Sequence, residues 1–210
     1  MVSIRSHLLD TSDRPHKRDL TKAPSLGSTS PMKYFTLLAL AFATPLWADC
    51  PPSPDITDQE AALFTQAQAA ENELAAQPIR QALWQLWATA PDEAAQALLD
   101  RGMSARGSYD FLGAMNAFDR LVEYCPDYAE GYNQRAFVNF LREDFEPALT
   151  DLDLALARNP NHVAALSGKA LTLMGLGRGD EAQDVLREAI KLNPWIPERG
   201  LLSEPSGEEL

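Results

Sequence analysis

The sequence predicts an all-α fold: a solenoid of antiparallel helix pairs, with three units preceded by a degenerate N-terminal helical hairpin. Three observations carry this. Residues 95–128, 129–162 and 163–196 align without a gap as three segments of 34 residues, a period that marks stacked two-helix units. A proline closes each segment at the same offset, as Pro126, Pro160 and Pro194. Ala and Leu dominate while β-branched residues are scarce, which favours helices over strands.

Within the units, residue sizes say how the helices meet. Small residues recur as Gly102, Ala136 and Ala170 in the first half and as Ala114, Ala148 and Ala182 in the second. Larger apolar residues stand four positions before the first set (Leu98, Tyr132, Leu166) and four after the second (Phe118, Leu152, Leu186). A further position reads Leu121, Ala155 and Ala189. A small side chain lets two helix axes approach, and apolar residues spaced by three and four fill the seam between them. The proline then stops the second helix. Arg142–Phe145 and Gly175–Asp180 read as the turns inside units two and three, with Asp180 placed to cap the helix that follows.

This set resembles the tetratricopeptide repeat family, with Tyr132, Ala136, Phe145, Ala148, Ala155 and Pro160 giving the cleanest unit. The resemblance spans 95–196, about half the chain. Leu121 stands where the family usually has Ala, and Gly113 and Pro147 sit near the starts of second helices. Pro147 falls in a first turn, where proline is tolerated. The resemblance implies that the first helix of every unit lines a concave face that holds an extended peptide or a partner helix. It thereby nominates Met103 and Arg106 in unit one, Asn133, Phe137 and Phe140 in unit two, and Ser167, Leu171 and Met174 in unit three. The subfamily that clamps a terminal carboxylate uses Lys, Asn and Arg at such places; Leu99, Met103 and Ser167 do not reproduce that set. The implied groove is apolar, with methionines able to repack. Its alternative occupant is the chain's own linker or tail.

Composition narrows the function classes. With 210 residues, 45% apolar and 23% charged, the chain can bury a core and is not disordered as a whole. A net charge of -12, from 30 acidic and 18 basic residues, repels nucleic acid. Beyond residue 48 the sole histidine is His162. No phosphate loop, metal-ligand spacing or nucleophile-base set appears, so neither catalysis nor a cofactor or metal is expected. Asp151 and Asp153 read as solvated helix charges.

The flanks divide further. Residues 1–31 read as an upstream extension preceding the true start at Met32. Residues 32–48 read as a secretory signal: Lys33, then the apolar run Tyr34–Leu46, then Ala48 at the cleavage point. The run is too short to span a membrane. Cleavage there places the mature chain in the periplasm, and Asp49 argues against lipidation of Cys50. In an oxidising compartment the two cysteines, Cys50 and Cys125, are the natural disulfide pair. Residues 49–57 form a Pro-rich linker. Residues 58–94 form the N-terminal capping hairpin, with a first helix from Thr57 or Asp58 to about Ala76 carrying Leu63, Ala67, Ala70 and Leu74 on one stripe. Pro78 would break it, and a second helix would run from Ile79 to Ala90. Residues 197–210 form an acidic tail. Trp195, Ile196, Leu201 and Leu202 either fold back over the last helix or leave a face free to pair with a second copy. The expected function is a non-catalytic, exported bacterial adaptor that binds a protein or peptide. The alternative is a self-associating or membrane-tethered scaffold subunit using that C-terminal face.

Overall fold

Helices α1 (Thr57–Ala69), α2 (Glu73–Trp87), α3 (Glu93–Gly107), α4 (Phe111–Tyr124), α5 (Ala129–Leu141), α6 (Phe145–Arg158), α7 (Val163–Gly175) and α8 (Gly179–Leu192) follow one another, and a 3-10 turn (Pro197–Leu201) comes last. This computed structural model describes residues 49–203, and no strand occurs among them. The upstream extension, the signal segment and the acidic residues 204–210 lie outside the described residues.

The 34-residue period is written directly into the helix ends. α4, α6 and α8 begin 34 residues apart and end 34 residues apart, and α5 and α7 share that phase. α3 starts two residues early because Asp92 caps it, its carboxylate accepting from the Ala95 amide at 2.8 Å. One residue after each inner helix turn takes a left-handed conformation: Tyr109 and Glu143 at φ 62° and Gly177 at φ 74°. Only the third is the residue type that adopts this region without cost.

Packing inside each unit follows residue size. Phe118, fully buried, rests its ring on Gly102, where any Cβ would collide with it. In the next two units the partner shrinks to Leu152 and Leu186, and the small position grows to Ala136 and Ala170, all buried. The volume of the seam is thus held while its two sides trade size.

Ion pairs then tie one unit to the next. Arg135 of α5 pairs with Asp119 of α4 at 2.9 Å and grips Asp151 of α6 through both carboxylate oxygens, at 2.6 and 2.9 Å. One unit later, Lys169 of α7 and Asp153 of α6 repeat the Arg135–Asp119 pair at 2.7 Å. Asp151 is therefore buried and paired, not a solvated helix charge; the helix spacing alone hid a partner contributed by the preceding helix.

The hairpin departs from expectation in four respects. α1 stops at Ala69 and α2 begins at Glu73, because Asn72 caps α2 by accepting from the Ala75 amide at 3.0 Å. Pro78 lies inside α2 and does not break it. The buried stripe of α1 is Glu60, Phe64 and Ala67, while Leu74 is exposed. Nor does the hairpin cap the N-terminal end of the array. Phe64, Leu83 and Trp87 share one core with Val163, Leu166, Leu186, Ala189 and Ile196, at the other end. Gln68 donates to the Lys191 carbonyl at 2.8 Å, and the Trp195 indole donates to the Ala67 carbonyl at 3.0 Å. The C-terminal face is consequently covered by α1, with Ile196 buried. Residues 197–201 are likewise a 3-10 turn, not solvated tail: Arg199 bonds the Ile196 carbonyl and reaches Glu73 at 2.9 Å.

Candidate binding groove

The first helices of the units form the inner layer. α3 packs on α5 and α5 on α7, while α4 and α6 pack on the first helix of the following unit. Against this inner layer lies α2. Its course is fixed by three successive unit junctions, the positions after each closing proline: Tyr128, His162 and Ile196. Arg80 of α2 donates to the Trp195 carbonyl at 2.8 Å, beside the third junction. One end later, Trp87 stacks on the His162 ring with centroids 4.3 Å apart, at the second. The Trp87 carbonyl accepts from the Tyr128 hydroxyl at 2.6 Å, at the first. Burial, aided by the charges of Glu130 and Asp100, pushes the Tyr128 phenol far above its ordinary pKa, so it remains a donor.

Behind Trp87 runs a buried polar chain. The Trp87 indole donates to Glu60 of α1 at 2.6 Å, and Asn159 donates to the same oxygen at 2.8 Å. His162 Nδ1 accepts from the Ala165 amide, so Nε2 carries the proton and donates to Glu130 at 2.8 Å. Glu130 also accepts from Asn133 and Gln134, and Gln134 in turn accepts from Arg106. Every buried charge in this chain has partners, as burial demands.

What α2 leaves open is a cavity of about 360 Å³ between itself and α5 and α7. Trp84, Phe137, Phe140 and Leu171 form apolar wall, and Arg80, Arg106 and Glu198 are its charged residues. Of the nominated residues, Arg106, Asn133, Phe137, Phe140, Ser167 and Leu171 line this cavity. Met103 and Met174 instead pack against core clusters. Asn133 and Ser167 are buried, whereas Phe137 is 44% exposed, with the Arg106 guanidinium 4.6 Å from its ring centroid. Burial lowers the Arg106 pKa, with the Glu130 charge opposing. Part of the groove is thus covered by the chain itself, through α2, with Pro197 and Glu198 from the start of the segment read as tail adding to its wall. Leu83, Trp84 and Arg80 escaped the sequence reading as groove residues. Their spacing along an amphipathic stripe was the available signal.

Cys50 and Cys125 lie with their sulfurs at bonding distance and their Cα atoms 5.1 Å apart. Among the described residues no group of three or more metal-ligating side chains converges, and no helix is long and apolar enough to cross a membrane.

Solved structures share this architecture. The TPR domain of Arabidopsis OM64 superposes with a TM-score of 0.51, at 22% identity, over 52% of this chain and 91% of that one. The array has the tetratricopeptide-repeat solenoid fold. The first TPR of Spaghetti (RPAP3), bound to an HSP90 peptide, matches this solenoid at TM-score 0.51 and 21% identity, over 52% of this chain and 86% of that one. Among curated proteins, a TPR repeat-containing protein of Rhizobium etli is 36% identical over 64 residues, 30% of this chain and 31% of that one. A tetratricopeptide repeat protein 36 homolog of Nematostella vectensis is 35% identical over 65 residues, 31% of this chain and 36% of its own. The tetratricopeptide match thus spans about a third of the length of these curated relatives. No protein-family model matches the chain.

Proposed function

We propose that the chain is a non-catalytic adaptor that receives an apolar peptide or helix of another protein on the part of its inner face that α2 leaves open. The observation that carries this is Phe137, a large apolar side chain 44% exposed on inner helix α5, lining the cavity together with Phe140. Exposed aromatic surface lining a concave layer is typical of interaction sites. In keeping with a peptide partner, the matched Spaghetti (RPAP3) domain holds the HSP90 peptide SRMEEVD, and the matched domain of yeast Sti1 is a complex with pHsp70. A photoreactive phenylalanine analogue at Phe137 should give discrete cross-linked protein partners in cells, while the same analogue at Leu154 on α6 should not. The same products from both positions would reject the groove.

The adaptor works in the bacterial periplasm, after cleavage behind Ala48. The basic residue, apolar run and small residue at 33–48 support export, as does the proximity of Cys50 and Cys125. Intact mass of the purified protein should show a chain beginning at Asp49 with both thiols unreactive until reduced. A retained N-terminal segment or a lipidated Cys50 would overturn this.

A further inference from the structure

The cavity beneath α2 is more than what a covered groove leaves behind. At about 360 Å³ it falls in the range that encloses a small molecule. α2, running from the third unit junction to the first, forms one side of it and leaves the other partly open to solvent. The walls are apolar and aromatic, from Trp84, Phe137, Phe140 and Leu171.

Two polar features in that wall call for a ligand. Ser167 is 6% exposed, and its hydroxyl has no hydrogen-bond partner among the described residues. A buried, unmet hydroxyl costs free energy that a bound acceptor would recover. The second feature is charge. In a chain of net charge -12, the cavity carries two guanidinium groups, Arg80 and Arg106, against one carboxylate, Glu198. Arg80 is engaged by the Trp195 carbonyl and by Glu73. Arg106 is half-buried, hydrogen-bonds the neutral amide of Gln134, lies over the Phe137 ring, and forms no direct ion pair among the described residues, although the Glu130 charge acts on it through Gln134. A partly desolvated cation with no directly paired carboxylate favours an anion.

We infer that this cavity binds a small amphipathic carboxylate, its apolar body held against Trp84, Phe137, Phe140 and Leu171, with Arg106 and Ser167 supplying the polar contacts for its head. The site does not depend on the adaptor reading, since it needs no protein partner.

Isothermal titration of the full chain with decanoate, decylammonium and an N-acetylated, C-terminally amidated pentapeptide ending in leucine tests it. Decanoate should bind saturably at one site, and decylammonium at least about tenfold more weakly, the factor that one lost charge contact supplies. Arg106→Gln should weaken decanoate about tenfold with the helical circular dichroism unchanged. Ser167→Ala should weaken it about threefold while raising the melting temperature, because it removes the unmet hydroxyl. A merely structural serine would lower that temperature. Absence of saturable decanoate binding, equal affinity for decylammonium, an unaffected folded Arg106→Gln protein, or a pentapeptide that binds as tightly as decanoate would each overturn the inference.

Discussion

The array from α3 to α8 and the hairpin of α1 and α2 are both helical and apolar, yet they are held in place by different means. In the array each seam joins neighbours along the chain, and the same small-large pairing and ion pair recur one unit later, as Gly102–Phe118 against Ala136–Leu152 and Asp119–Arg135 against Asp153–Lys169. The hairpin is held by singular contacts between distant residues: Gln68 with Lys191, Arg80 with Trp195, Glu60 with Asn159. Repetition makes the first region robust and readable. The second is specified by a handful of pairings that occur once.

That contrast can be broken from either side. The largest effect should come from Phe118→Ala, which empties the best-buried seam of the first unit and leaves Gly102 facing a void. Urea unfolding should show a loss of about 4 kcal/mol for the whole array. Trp87→Ala should cost somewhat less, about 3 kcal/mol, and should act locally. Hydrogen exchange should accelerate in α1 and α2 while α4 to α6 keep their protection; uniform acceleration would mean that the two regions unfold as one. The smallest change refines the repeat itself. Glu143→Gly relieves a left-handed residue at the place where the third unit already has Gly177, and should stabilise by about 0.5–1 kcal/mol in the same urea experiment.

How much was legible follows from the same division. The helix pairs from α3 onward could be read because period, proline and residue size all agree. The nominated inner-face residues came from the same phase, which is why six of them meet at one cavity. What the sequence did not disclose is that α2 would cover them. Pro78 looked like a stop, yet it lies inside α2, which continues through it one helical hydrogen bond short while Asn72 caps its start. The sequence placed a second helix over Ile79–Ala90 but not its partner, since docking such as that of Arg80 on Trp195, 115 residues further along the chain, leaves no local signature. His162 stood out only as the sole histidine beyond residue 48; its stack on Trp87 exists solely because the hairpin returns.

The lacing of three consecutive junctions by a single rigid helix has a mechanical consequence. Stacked two-helix units behave as a spring, since small rotations at each junction add up to large changes of pitch. Here α2 spans the arc as a chord would, attached near Trp195, at His162 and at Tyr128. The coil cannot unwind elastically while that chord is in place, so any widening of the curve must proceed as a discrete detachment step.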